Sequence, residues 1–322
     1  MTNMKYYIAA DGGGTKFDVI LFDEDYNVLR RLKSGGINEN FKSVEIIEKE
    51  ADFLVKNLLD EYDIREIECV NISAAGKNDV FLKRLSENVK VNGTVRYNEG
   101  ETVLYAAGLK YGVVAQAGTG SDVFVLQPDE RNVYGGLGSL LGDEGSGFYI
   151  GLQGLKAAVK AFYGSGEQTI LKERIFDELK VSVPEDIRRG LSVDPLVREK
   201  TASLSKSVAK AAANGDSVAK RIFENAGREL AELTIYALKN RNGKITGSVI
   251  ASGGAWKGCK NMFDTFYSSV TDEFPTVKPI LAEFEPIVGL IFVTAMENGC
   301  SYEEVKEKIV AENPDLRFFA KG

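Results

Sequence analysis

The sequence predicts an α/β protein built from two related lobes, and three observations lead there. First, Tyr7-Ile-Ala-Ala-Asp-Gly-Gly-Gly-Thr-Lys-Phe-Asp-Val19 can be laid beside Val113-Val-Ala-Gln-Ala-Gly-Thr-Gly-Ser-Asp-Val-Phe-Val125. Each is an apolar strand, a glycine-rich turn carrying a hydroxyl residue, and a second apolar strand, the mark of a duplicated unit. Second, short apolar runs alternate with stretches of helical spacing. Third, 322 residues suffice for about two domains.

The elements follow in order. Tyr6 to Ala10, Phe17 to Phe22 and Val28 to Leu32 read as strands, with a turn at Asp23 to Asn27. Phe41 to Tyr62 repeats apolar residues at helical spacing through Val44, Ile47, Ala51, Leu54, Val55 and Leu58. Strands are expected at Ile67 to Ile72 and Val91 to Tyr97, and helices at Asp79 to Asn88 and Glu101 to Leu109. After the second hairpin, a helical region runs from Gly147 to Lys239, punctuated by Pro184 and Pro195, with Gly190 and Gly215 marking helix ends. Ile245 to Ala251 is the last buried strand. Helices follow at Trp256 to Ser269, Val288 to Asn298 and Tyr302 to Val310. The lobes are placed at 1–111 and 112–322, with the last helix left open to pack back on the first lobe.

Composition removes many functions. The chain is 44% hydrophobic and 27% charged, which is neither disordered nor fibrous. Its net charge of −7 argues against a nucleic-acid binder, which would carry a basic face. There is no histidine, so no Ser-His-Asp triad, His-ligated zinc or imidazole base can operate. Cys69, Cys259 and Cys300 are scattered without C-x-x-C spacing and read as reduced thiols. The most apolar stretch, Ile287 to Met296, is shorter than the ~20 residues a membrane helix needs. No secretory signal is visible at the N-terminus, so a cytoplasmic protein without a membrane partner is expected.

The glycines point to phosphate. They cluster at Gly12-Gly13-Gly14, Gly118 with Gly120, Gly135 to Gly147, and Gly253-Gly254. A glycine-rich turn can aim several N–H groups at one point, which suits an anion. Asp11 ends the first strand, where a carboxylate can hold Mg²⁺, and the Thr15 hydroxyl can donate to a phosphoryl oxygen. The second turn, Gly118-Thr119-Gly120-Ser121, has donors and no acid. No G-x-x-x-x-G-K-[ST] is present, and Gly135 to Gly142 lacks G-x-G-x-x-G in register.

Asp11-Gly-Gly-Gly-Thr15, Ala117-Gly-Thr-Gly-Ser121, Gly142-Asp-Glu-Gly-Ser-Gly147 and Gly253-Gly-Ala255 resemble the BadF/BadG/BcrA/BcrD ATPase family. Within it they are most similar to the N-acetylglucosamine kinase branch of the actin/Hsp70/sugar-kinase superfamily. The resemblance implies two ribonuclease-H-like (actin-like ATPase) lobes with a cleft between them, use of ATP with Mg²⁺, and phosphorylation of an amino sugar. It places Asp11 beside Mg²⁺; Gly12, Gly13, Gly14 and Thr15 on phosphates; Gly118, Thr119 and Gly120 in a second phosphate loop; and Gly253, Gly254 and Gly258 beside adenosine. Asn38, Asn98, Gly136, Leu137, Gly138 and Asp143 fall where the family contacts the sugar. Homodimers occur in this family, though nothing in the chain demands one.

The chain departs from the family twice. The family's catalytic Asp follows an Asn, and here the pair is Asn98-Glu99. Glu99 is either the base or a helix-start acid. Leu137 and Ser139 replace the Trp and His common in the sugar loop, which makes that wall less aromatic. Two further residues keep two readings each. Lys16 is a phosphate contact or a solvated lysine, and Trp256 lines the adenine pocket or begins a helix. Relatives that energise 2-hydroxyacyl-CoA dehydratases carry a cluster-ligating cysteine where this chain has Gln116-Ala117. The expectation is an ATP-dependent N-acetylhexosamine kinase. The alternatives are an ATP- and sugar-binding sensor, or a partner-activating ATPase without an iron–sulfur cluster.

Overall fold

The structure, a computed structural model, describes residues 4–12, 16–37, 43–74, 79–128, 130–192, 194, 196–240 and 248–318. The chain forms two compact units, Met1–Lys110 with Ala282–Gly322, and Tyr111–Leu281.

The first unit opens with β1 (Tyr6–Gly12), β2 (Lys16–Asp23), β3 (Val28–Gly35), α1 (Val44–Leu59), β4 (Glu66–Ile67) and β5 (Cys69–Ala74). It continues with α2 (Asp79–Asn88), β6 (Lys90–Val91), β7 (Thr94–Arg96) and α3 (Glu99–Ala106). The second unit holds β8 (Gly112–Ala117), β9 (Ser121–Gln127), β10 (Glu130–Gly135), α4 (Gly147–Phe162), α5 (Leu171–Leu179), α6 (Pro184–Ser192) and α7 (Val197–Ser203). Its remaining elements are α8 (Ser205–Ala213), α9 (Ser217–Lys239), β11 (Ser248–Ser252), α10 (Lys260–Glu273) and β12 (Lys278–Leu281). The chain then returns to the first unit as α11 (Pro286–Glu297) and α12 (Tyr302–Glu312).

The two five-stranded sheets have one plan, β3-β2-β1-β5-β7 and β10-β9-β8-β11-β12. In each, the first three strands are antiparallel neighbours and the last two add in parallel. The hairpins matched in the sequence are β1–β2 and β8–β9, so both units are ribonuclease-H-like as expected.

Strand alternation explains how the first sheet is buried on both faces. Ile8 and Ala10 join Ile47, Leu54 and Phe81 from α1 and α2, whereas Tyr7 and Ala9 join Ile287, Leu290 and Ile291 from α11. This second layer places the whole segment from Ala282 with the first unit, where division at 112–322 had put most of it in the second. The apolar residues of α11 need the face of β1 and β2 that α1 and α2 leave uncovered. Contact between α11 and α3 is close enough that a Cβ on Gly289 would stand 1.9 Å from Thr102 O. Gly289→Ala therefore lowers stability by about 2 kcal/mol or more, read as a fall in melting temperature.

Two local expectations are corrected. Gly190 lies inside α6 and ends no helix. α3 starts at Glu99, two residues early, because Asn98 and Glu101 form a capping box. β10 and β12 had no counterpart in the sequence reading. Among the described residues no helix is long and apolar enough to cross a membrane.

Candidate active site

In the first unit the site builds on the ends of β1 and α3. Gly12 must be glycine, since a Cβ there would lie 2.6 Å from Lys16 O and 2.7 Å from Phe17 Cδ2. Asp11 is part-buried at the end of β1, beside this close approach of β1 to β2. Its pKa is pushed up to about 7, chiefly by desolvation and next by the negative charge of Glu99, with smaller contributions from Asp18 and Glu285. Lys16, itself exposed, pulls the other way. Gly13, Gly14, Thr15 and Asn38 lie outside the described residues.

Glu99 is the first residue of α3 and is exposed. Asn98 Oδ1 accepts from Glu101 N at 2.8 Å, and Glu101 Oε2 accepts from Asn98 N at 2.8 Å. This reciprocal cap fixes the backbone beside Glu99, and the helix N-terminus favours a negative charge there. Asn98 thus spends its carbonyl oxygen on the cap. Asp18 is buried against Arg31, whose Nη2 and Nε stand 2.6 and 3.1 Å from its two oxygens, and Arg31 also pairs with Glu285.

In the second unit the 118–120 turn is clamped from one side. Its carbonyls accept N–H groups from the start of α4, Gly147 N to Gly118 O at 2.8 Å and Phe148 N to Thr119 O at 3.1 Å. Ser146 caps α4 by accepting from Tyr149 N, and Ser121 Oγ donates to Glu144 O at 2.6 Å. Asp143 has a left-handed backbone, φ 67°, and is buried. Its Oδ1 accepts from Ser121 N at 3.2 Å, and its Oδ2 pairs with Arg198 Nη2 at 2.8 Å and Nε at 3.3 Å. Both oxygens of this expected sugar contact are already engaged within the unit, although a carboxylate can accept further bonds.

The end of β11 meets the end of β8. Gly253 has φ 109°, and a Cβ there would lie 2.3 Å from Ala117 O. Beside it, Ser252 Oγ is buried without a hydrogen-bond partner among the described residues. Among the described residues nothing lies within 4 Å of a Cβ built on Gly254, and only Gly120 O, at 3.9 Å, lies near one built on Gly118. Gly253 thus serves close backbone packing, whereas Gly118 and Gly254 are uncrowded among the described residues. Gly258 is required by Phe223, 2.5 Å from its built Cβ. Trp256 settles into the core, donating Nε1–H to Ala115 O and packing on Phe263 and Phe266. Gly136 and Gly138 take positive φ in an exposed loop that carries Leu137.

The structure brings Asp11 and Glu99 within electrostatic reach in one unit. In the other it gathers the 118–121 turn, Asp143 and the β11 end. Arg198 was missed, because it lies 55 residues beyond Asp143 and nothing local in the sequence marks it.

The residues present suit Mg²⁺. Asp11 offers a hard oxygen whose ionisation is opposed by desolvation and then by negative neighbours, the surroundings that a cation relieves. Among the described residues no three Asp, Glu, Cys or His side chains are grouped to hold a metal. The uncrowded backbone at Gly118 and Gly254 suits a phosphate-bearing ligand in the same way.

The BadF/BadG/BcrA/BcrD ATPase family model matches residues 10–292. An N-acetylmuramic acid/N-acetylglucosamine kinase of Clostridium acetobutylicum is 30% identical over 91% of this chain and 99% of its own. An N-acetyl-D-glucosamine kinase of Dictyostelium discoideum is 24% identical over 88% of this chain and 95% of its own. A solved structure of a candidate N-acetylglucosamine kinase from Porphyromonas gingivalis shares the fold, with a TM-score of 0.70 at 17% identity, covering 92% of this chain and 100% of its own. With its motifs, its duplicated sheets and a family match over most of its length, the chain belongs to the BadF/BadG/BcrA/BcrD ATPase family.

Proposed function

We propose that this protein is an ATP-dependent kinase that phosphorylates an N-acetylhexosamine, of the N-acetylglucosamine or N-acetylmuramic acid class, at the C6 hydroxyl. The observation that carries the reading is the acid pair of the first unit: part-buried Asp11, with Glu99 close enough to raise its pKa. The similarity to the Clostridium acetobutylicum kinase over nearly the full length of both chains supports the sugar class.

Glu99 takes the proton from the sugar O6 as the O6–P bond forms. The bond from the γ-phosphorus to the β–γ bridging oxygen breaks, and ADP leaves. Asp11 would hold Mg²⁺, which when bound would neutralise charge on the phosphates. Gly12, Gly13, Gly14, Thr15, Gly118, Thr119 and Gly120 hold phosphate oxygens through N–H and O–H donors. Gly253, Gly254 and Gly258 shape the adenosine side. Asn38, Asn98, Gly136, Leu137, Gly138 and Asp143 orient the sugar.

A second reading, a sensor that binds ATP and sugar without transfer, is favoured by one observation: Glu99 also fits as a plain helix-start charge on a capped helix. Incubation of the protein with ATP and Mg²⁺ across hexoses, amino sugars and N-acetyl amino sugars separates the two. Sugar phosphate formed from an N-acetyl amino sugar supports the kinase. Sugar binding without turnover supports the sensor.

A further inference from the structure

We infer that Arg198 is a positioning residue for the nucleotide-binding turn, acting through Asp143 by cancelling a buried negative charge directly behind that turn. The inference rests on the reading of Gly118–Gly120 as a phosphate loop.

Asp143 has a side chain 2% exposed, and Arg198 is its ion-pair partner. The other carboxylate oxygen accepts the backbone N–H of Ser121, the residue that closes the turn. The pair is packed against the turn itself. A Cβ built on Gly120 would lie 2.5 Å from Arg198 Nη2 and 2.5 Å from Asp143 Oδ1. The turn carbonyls are fixed by the start of α4, and the left-handed backbone of Asp143 is held in the same loop. Arg198 reaches this assembly from α7 and supplies its positive charge.

A buried carboxylate stripped of its partner is costly, and beside an anionic ligand it also repels. Arg198→Met therefore weakens MgADP binding by about tenfold or more. If the arginine acts by neutralising Asp143, removing both charges restores binding. Asn at 143 can still accept from Ser121 N and tolerates the left-handed backbone. The double variant Arg198→Met/Asp143→Asn carries no unpaired buried charge, so it folds even if Arg198→Met does not. Arg198→Lys keeps the charge without the planar fork and falls between wild type and Arg198→Met.

The experiment is calorimetric titration of the full chain and these three variants with MgADP. Weak binding by folded Arg198→Met, or by folded Arg198→Lys where Arg198→Met does not fold, with recovery to within a few-fold of wild type in the double variant, establishes the inference. A merely structural arginine lowers the melting temperature of Arg198→Met and leaves the MgADP affinity of the folded variant at the wild-type value. Wild-type affinity in Arg198→Met, or a double variant that binds as poorly as the single one, overturns it. Failure of the wild type itself to bind MgADP overturns instead the nucleotide reading of the turn, and the inference falls with it.

Discussion

The Asp11→Asn variant loses phosphoryl transfer by about 10²-fold or more and yet becomes more stable above neutral pH. The loss follows from the proposed role of Asp11 in holding Mg²⁺, since charge stabilisation by a bound ion is worth several kcal/mol and each ~1.4 kcal/mol is tenfold in rate. The gain follows from linkage. Asp11 titrates near pH 7 in the folded protein and near 3.8 in the unfolded chain. Between those values the unfolded chain has released its proton while the folded protein keeps it. Stability from this group is therefore full below about pH 3.8 and is lost as pH rises through about 7. Asparagine abolishes that loss, so thermal unfolding separates variant from wild type at pH 8 and converges near pH 4. In the wild type, the Mg²⁺ concentration giving half-maximal rate rises as pH falls below about 7, because the protonated carboxyl cannot bind the ion.

Glu99→Gln lowers kcat by about 10²–10⁴-fold with little change in the KM for ATP, the signature of a lost general base. Glutamine keeps the shape and removes both the base and its charge. Because Glu99 raises the pKa of Asp11, the same variant moves the acidic limb of Mg²⁺ dependence to lower pH. Glu99→Asp retains the charge and withdraws it by one methylene. A displacement near 1 Å costs about 10²-fold, so this variant also loses kcat if the pocket is spaced for glutamate. Steady-state kinetics across pH on the two variants measures both effects. A kcat for Glu99→Gln equal to wild type leaves Glu99 as a helix-start charge.

Legibility of the fold followed burial. β1, β2, β8 and β9 are apolar along nearly their whole length, so the duplicated hairpin stood out. β10 reads Glu-Arg-Asn-Val-Tyr-Gly and lies on an outer edge with no residue fully buried, and β12 is a four-residue edge strand containing Pro279. Edge strands need neither apolar runs nor freedom from proline, so neither left a pattern. The return of the chain to the first unit was equally hidden. An apolar helix such as α11 declares that it is buried, and not against which sheet.

At the candidate site, glycines were legible as a class and their separate duties were not. Gly253 and Gly258 answer to Ala117 and Phe223, whereas Gly254 and Gly118 are uncrowded among the described residues. Tertiary packing alone distinguishes a glycine that fits its neighbours from one left uncrowded. The pairing of Asp143 with Arg198 depends on α7 folding against the turn, a contact between residues remote in sequence.

Phosphoryl transfer to an amino sugar is read by proton-coupled ³¹P NMR of a complete reaction with N-acetylglucosamine, ATP and Mg²⁺. The expected products are ADP and a sugar monophosphate in equal amounts, with the ester phosphorus coupled to the two C6 protons. ADP accompanied by inorganic phosphate alone, or no sugar ester with either N-acetylglucosamine or N-acetylmuramic acid, would contradict that transfer.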